Sequence, residues 1–159
     1  MSADITQQLL DFLAGIGIEV REGEVPADSF LPGIRLVAGA LVVDRAALRW
    51  PGDLLHEAGH IATTPAALRT QLDDKLDDDP AIAHRGEAEA SAWAWAALTR
   101  LGLPAELLFH AGGYHGQSAG LALTYSMGVY PGAAGLARAG MAKLGGEGGY
   151  PQMLSWLRD

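Results

Sequence analysis

Three residues of this chain have the types and the spacing to hold a metal ion and use it. They are His56, Glu57 and His60, in the run His56-Glu57-Ala58-Gly59-His60. On a helix, positions i and i+4 share a face one turn apart, so both imidazoles can reach one ion. Glu57 borders that face, where its carboxylate can hydrogen-bond a metal-bound water without filling a coordination position. Zinc lowers the pKa of such a water toward about 7 and polarises a carbonyl, and the carboxylate takes up and passes on the proton. With five His and eight Glu in 159 residues, chance supplies roughly 0.008 such runs. The plain alternative is a pair of histidines satisfied within the core.

A catalytic zinc commonly has three protein ligands and one open position. The chain has no Cys. This excludes disulfides, zinc ribbons and thiol nucleophiles and leaves His and carboxylates as ligands. Residues 61–69 contain no third His, so a distant carboxylate is the economical choice. Glu87 and Glu89 follow His60 by 27 and 29 positions. They lie about 200° apart on a helix, so at most one faces the ion. Glu87 shares a narrow stripe with Ala83, Ala90, Ser91 and Ala94, and Glu89 shares one with Trp93, Ala96 and Ala97. From periodicity alone the preference for Glu87 is slight.

Acyl transfer also needs a donor toward the developing oxyanion. Tyr114 or His115, in the run Gly112-Gly113-Tyr114-His115-Gly116, can supply it, as can Tyr125 or Tyr130; the bland reading makes the first two plain loop residues. His110 reads as a helix C-terminal residue favoured by the dipole, and His84, one turn before Glu87, as a surface residue. Trp93 and Trp95 read as core or groove side chains, and the glycine-rich run 145–149 as a turn.

The elements that must position these groups follow from pattern. Apolar spacing predicts a helix over 4–14, alternation predicts a strand over 18–25, and two β-rich runs around Ala38-Gly39 predict a hairpin over 33–44. Pro51 and Asp53 suit the start of a helix over 51–63. The Asp-rich stretch 69–80 lacks the alternation and central Gly of a calcium loop and reads as a solvated loop. Helices are expected over 83–101, from Pro104 to about 110, and over 117–127, 131–144 and 151–158. The fold class is α+β: a small N-terminal β element packed on a mostly helical domain, with residues 1–159 forming one domain.

Ala and Gly together fill 49 of 159 positions, which lets helices approach closely. The net charge is −8 and the sequence pI about 5.0. With no Lys/Arg cluster to offset that charge, nucleic acid is not an expected partner. The N-terminus shows no secretory pattern, so a cytoplasmic protein is expected. Residues 107–137 carry no Asp, Glu, Lys or Arg. The polar residues and glycines within that stretch favour a buried small-residue part of a soluble core over a membrane span.

The order of a hairpin ending in Val42-Val43-Asp44, the run P-G-D-L-L-H-E-A-G-H, and then E-A-E-A-S-A-W-A-W-A-A-L resembles the ImmA/IrrE-type zinc metallopeptidases. These are gluzincins, whose zinc is held by two His and one Glu. The resemblance covers about residues 33–100. Glu87, Glu89, Ala90, Ser91, Trp93, Ala94 and Leu98 fall in order on the family's second motif, roughly E-x-[EQ]-A-[ND]-x-F-A-A-x-L-L. Ser91 stands where the family tends to have Asn or Asp, and Trp93 where it has Phe. The resemblance implies Glu87 as third ligand and a zincin-like domain; the DNA-binding helix-turn-helix partner domain common in the family is not expected here, in keeping with the acidic charge. The expectation is a small zinc metallopeptidase that cleaves peptides or proteins with Glu57 as general base. The alternative is a catalytically weak metal-binding regulatory or protein-interaction module that retains the site.

Overall fold

Asp4 begins the first helix by accepting the backbone N–H of Gln7 at 3.3 Å, as an N-cap should. The helix, α1 (Ile5–Gly15), buries Leu9, Leu10 and Leu13. The computed structural model describes residues 4–29, 31–73 and 80–159, and for 80–85 and 115 the backbone alone. Three short strands follow: β1 (Val20–Glu22), β2 (Ile34–Val37) and β3 (Ala40–Val43). β2 and β3 form the expected antiparallel hairpin, and β1 lies parallel to β3 on its other side, giving the order β1-β3-β2. The two-residue turn has Ala38 at φ 49° and Gly39 at φ 79°, the positive-φ pair that a tight hairpin demands. Register pairs Ile34 with Val43 and Leu36 with Leu41, and all four are buried on one face.

That apolar face packs against α1 and against α2 (Asp53–Thr63), whose Leu54, Leu55, Ala58, Ile61 and Ala62 are buried. A 3₁₀ turn (Ala66–Gln71) leads away from α2, and the long α3 (Pro80–Leu101) returns alongside it. Asp74 to Asp79, most of the expected acidic loop, lies outside the described residues. The rest comprises α4 (Ala105–Leu108), a 3₁₀ turn (Tyr114–Gly116), α5 (Ser118–Ser126) and α6 (Ala133–Arg138). The fold is therefore α+β, a three-stranded sheet joined to a helical majority, and one continuous apolar core runs through both parts. Among the described residues, no helix is long and apolar enough to cross a membrane.

Three expectations need correction. The helix expected over 131–144 ends at Arg138, because the chain turns at Gly140 (φ 75°) to bury Met141. The helix expected over 151–158 is absent. The N–H groups of Leu154 and Ser155 instead go to the Met141 carbonyl, and Trp156 turns inward against Phe12 and Trp93. The uncharged stretch 107–137 is only partly interior. Leu108, Phe109, Tyr125, Ala133 and Leu136 are buried, but Leu123, Met127 and Val129 are each more than half exposed. α5 has core neighbours on one side only.

Candidate metal centre

The site is built where α2 and α3 touch. Gly59 sits against the α3 backbone so closely that a Cβ there would lie 2.5 Å from the Ala90 carbonyl oxygen. Gly86 faces the His60 ring on the same seam. Small residues let the helices approach, so one turn of α3 can reach across to the histidine face of α2. At the end of α2, the hydroxyls of Thr63 and Thr64 donate to the Gly59 and His60 carbonyls at 2.8 and 2.7 Å. These satisfy acceptors that the last helical turn leaves open.

Glu87 straddles the two imidazoles. Its Oε2 lies 3.1 Å from His56 Nε2, and its Oε1 lies 2.9 Å from His60 Nε2. The histidine rings stand nearly perpendicular, with centroids 4.9 Å apart. Donor atoms of His56, Glu57 and His60 all fall within 4.8 Å of one another, so this group could hold a metal ion. Ligand atoms about 2.0–2.2 Å from a tetrahedral zinc are themselves about 3.3–3.5 Å apart. The imidazole-to-carboxylate separations, each to a different oxygen, are hydrogen-bond lengths slightly shorter than that spacing, and two imidazole nitrogens with a carboxylate are donor types that zinc takes. Glu57 is buried, whereas the Glu87 side chain is 47% exposed, so the centre is open to solvent on the α3 side. Burial raises the Glu87 pKa, but hydrogen bonds and charge from His56 and His60 outweigh it and hold the carboxyl well below the usual carboxylate range.

The outer edge of His56 has its own partner. Tyr114 Oη lies 3.2 Å from His56 Nδ1, and the two rings meet edge to face at 5.4 Å. Burial, reinforced by the nearby Asp53 and Glu87 charges, pushes the Tyr114 phenol far up, so it stays neutral; the buried Ser91 hydroxyl acts on the same oxygen in the opposite sense. Tyr114 holds φ 58°, uncommon for a residue with a side chain. Its loop is fixed by His110, whose Nε2 lies 2.6 Å from Asp53 Oδ1. Gly112 N–H donates to His110 Nδ1 at 3.1 Å, so that nitrogen is an acceptor and Nε2 carries the hydrogen given to Asp53. Ser118 donates to the His110 carbonyl, and Trp50 stacks on the His110 ring at 4.3 Å. Burial raises the Asp53 carboxyl, while its hydrogen bond with His110 opposes the shift.

His56, Glu57, His60, Glu87 and Tyr114 thus come together, and the choice between the two α3 acids is made by packing. Glu89 turns toward α6, where a Cβ on Gly135 would lie 2.3 Å from its Oε1. Of the oxyanion candidates, Tyr114 has its hydroxyl on His56, and the buried Tyr125 donates to the Pro131 carbonyl at 2.6 Å. Tyr130 packs against Tyr125 and Tyr150. The side chains of His115 and His84 lie outside the described residues. Trp93 is fully buried, and Trp95 packs on Phe109 and Tyr125. His110 needs correction: α4 ends at Leu108, and the imidazole is a buried partner of Asp53, not a dipole-facing surface group. Sequence reasoning missed this pair, although Asp53, His56, Glu57 and His60 stand at i, i+3, i+4 and i+7 on one helix face.

Comparison with known proteins yields no matching family model, no matching characterised protein and no matching solved structure.

Proposed function

We propose that this chain is a zinc-dependent hydrolase, a small gluzincin-type metallopeptidase acting on peptide bonds. The observation that carries the reading is the Glu87 carboxylate set between the Nε2 atoms of His56 and His60. His56, His60 and Glu87 would hold the ion. When bound, zinc supplies Lewis acidity toward a carbonyl and lowers the pKa of water. Glu57, buried beside both imidazoles, takes the proton from the attacking water and returns it to the leaving amine. The exposed flank at Glu87 leaves a side for an extended substrate to approach.

The test measures zinc stoichiometry and turnover of a peptide library together. Glu57→Gln should keep full zinc occupancy and lose about 10²–10⁴-fold in turnover. Full zinc occupancy without turnover in the parent protein overturns the peptidase reading. It would favour a binding or regulatory module, which the exposed Leu123, Met127 and Val129 support. Absence of metal from the parent protein overturns both.

A further inference from the structure

The Tyr114 hydroxyl faces the ring nitrogen of His56 that the candidate ion would not use. It comes from a segment 58 residues away in sequence and from a residue held at positive φ. Such backbone strain persists only where surrounding contacts over-determine it. Here those contacts are visible: the Asp53–His110 hydrogen bond, the Ser118 bond to the His110 carbonyl, and packing of Tyr114 on Phe109.

We propose that Tyr114 is a positioning residue that orients His56 for metal binding. The inference rests on the metal-centre reading above. The argument turns on tautomers. A His56 ring whose Nε2 serves an ion carries its hydrogen on Nδ1 and needs an acceptor there; a neutral ring whose Nε2–H donates to Glu87 needs a donor at Nδ1 instead. A neutral phenol can do either, because its oxygen both donates and accepts. A phenylalanine at 114 fits the same space and serves neither tautomer.

The experiment titrates metal-free protein with zinc(II) against a chromophoric chelator and follows the His56 imidazole N–H by NMR. Tyr114→Phe should weaken zinc binding about 10–100-fold, while the metal-free protein, which loses the hydrogen bond at His56 Nδ1, unfolds cooperatively at a slightly lower melting temperature. In the zinc-loaded parent protein, the His56 Nδ1–H should resist solvent exchange, and in Tyr114→Phe it should not. Wild-type zinc affinity in Tyr114→Phe overturns the proposal, provided that His56→Ala has lost zinc. A freely exchanging Nδ1–H in the parent protein overturns it without any variant. If His56→Ala binds zinc like the parent, the failure lies with the metal-centre reading.

Discussion

Asp53 Oδ1 lies 2.6 Å from His110 Nε2, which joins the first turn of α2 to the loop that presents Tyr114. Both residues are buried, so the pair has little competition from water. Removing one partner strands the other without a hydrogen bond in a poorly solvated place. His110→Ala should therefore cost about 3–5 kcal/mol in urea unfolding. Asp53→Asn should cost less, because an amide oxygen still accepts the Nε2–H. Equal losses would show that the carboxylate charge, and not its geometry, is what matters.

The α2–α3 seam depends on a missing side chain. Gly59→Ala places a methyl 2.5 Å from the Ala90 carbonyl oxygen, and neither helix backbone can yield cheaply. A loss of about 1–3 kcal/mol in stability is expected, despite the better helix propensity of Ala. Zinc affinity should fall as well, because Glu87 is carried on the displaced helix. A variant with intact metal binding and reduced stability would mean that the helices separate elsewhere along the seam.

The two α3 acids should separate cleanly in metal binding. Glu87→Gln removes a charge facing both imidazoles and should reduce zinc affinity by at least about tenfold in chelator competition. Glu89→Gln, directed toward Gly135, should leave it unchanged.

Acid should weaken the metal-free protein partly through Glu87. Its carboxyl is held below the ordinary value of 4.5, so under acid conditions the unfolded chain binds a proton there before the folded one does. The stability it contributes is complete above about pH 4.5 and is lost as pH falls through the lower folded value. The side chain is 47% exposed, and solvent screening keeps the contribution within about 1 kcal/mol. Melting temperatures recorded from neutral to acid pH should fall less steeply in Glu87→Gln. Parallel curves would mean that the imidazoles do not hold this carboxylate.

Local patterns made much of this legible. The histidine helix was visible because its ligand spacing and its apolar stripe share one period, and the hairpin because Ala38-Gly39 separates two β-rich runs. The placement of β1 beside β3 was not legible, since parallel pairing depends on a crossover and leaves no mark in a three-residue strand. The segment 151–158 misled because Leu154, Trp156 and Leu157 have helix-like spacing, whereas the N–H groups of Leu154 and Ser155 go to the Met141 carbonyl. Periodicity favoured Glu87 over Glu89 only slightly, and the family resemblance strengthened the choice; in the structure Gly135 provides the physical reason, by accommodating Glu89. His110 was misplaced because its partner is 57 residues distant, and no local rule pairs them.

Trp50 lies flat on the His110 ring, 4.3 Å away and within 4° of parallel, with the Arg49 guanidinium 5.1 Å from its centroid. Trp93 and Trp156 pack against each other and Phe12 in a separate cluster. With Trp95 on Phe109 and Tyr125 in a third place, the four Trp give distinct optical reporters, and Trp95→Phe leaves these two. Emission from the first follows whether the 110–118 loop is docked on α2, and near-ultraviolet dichroism from the second follows whether the chain's two ends are packed together. A change in one signal without the other would reveal the metal-centre loop lifting while the rest of the fold stays assembled.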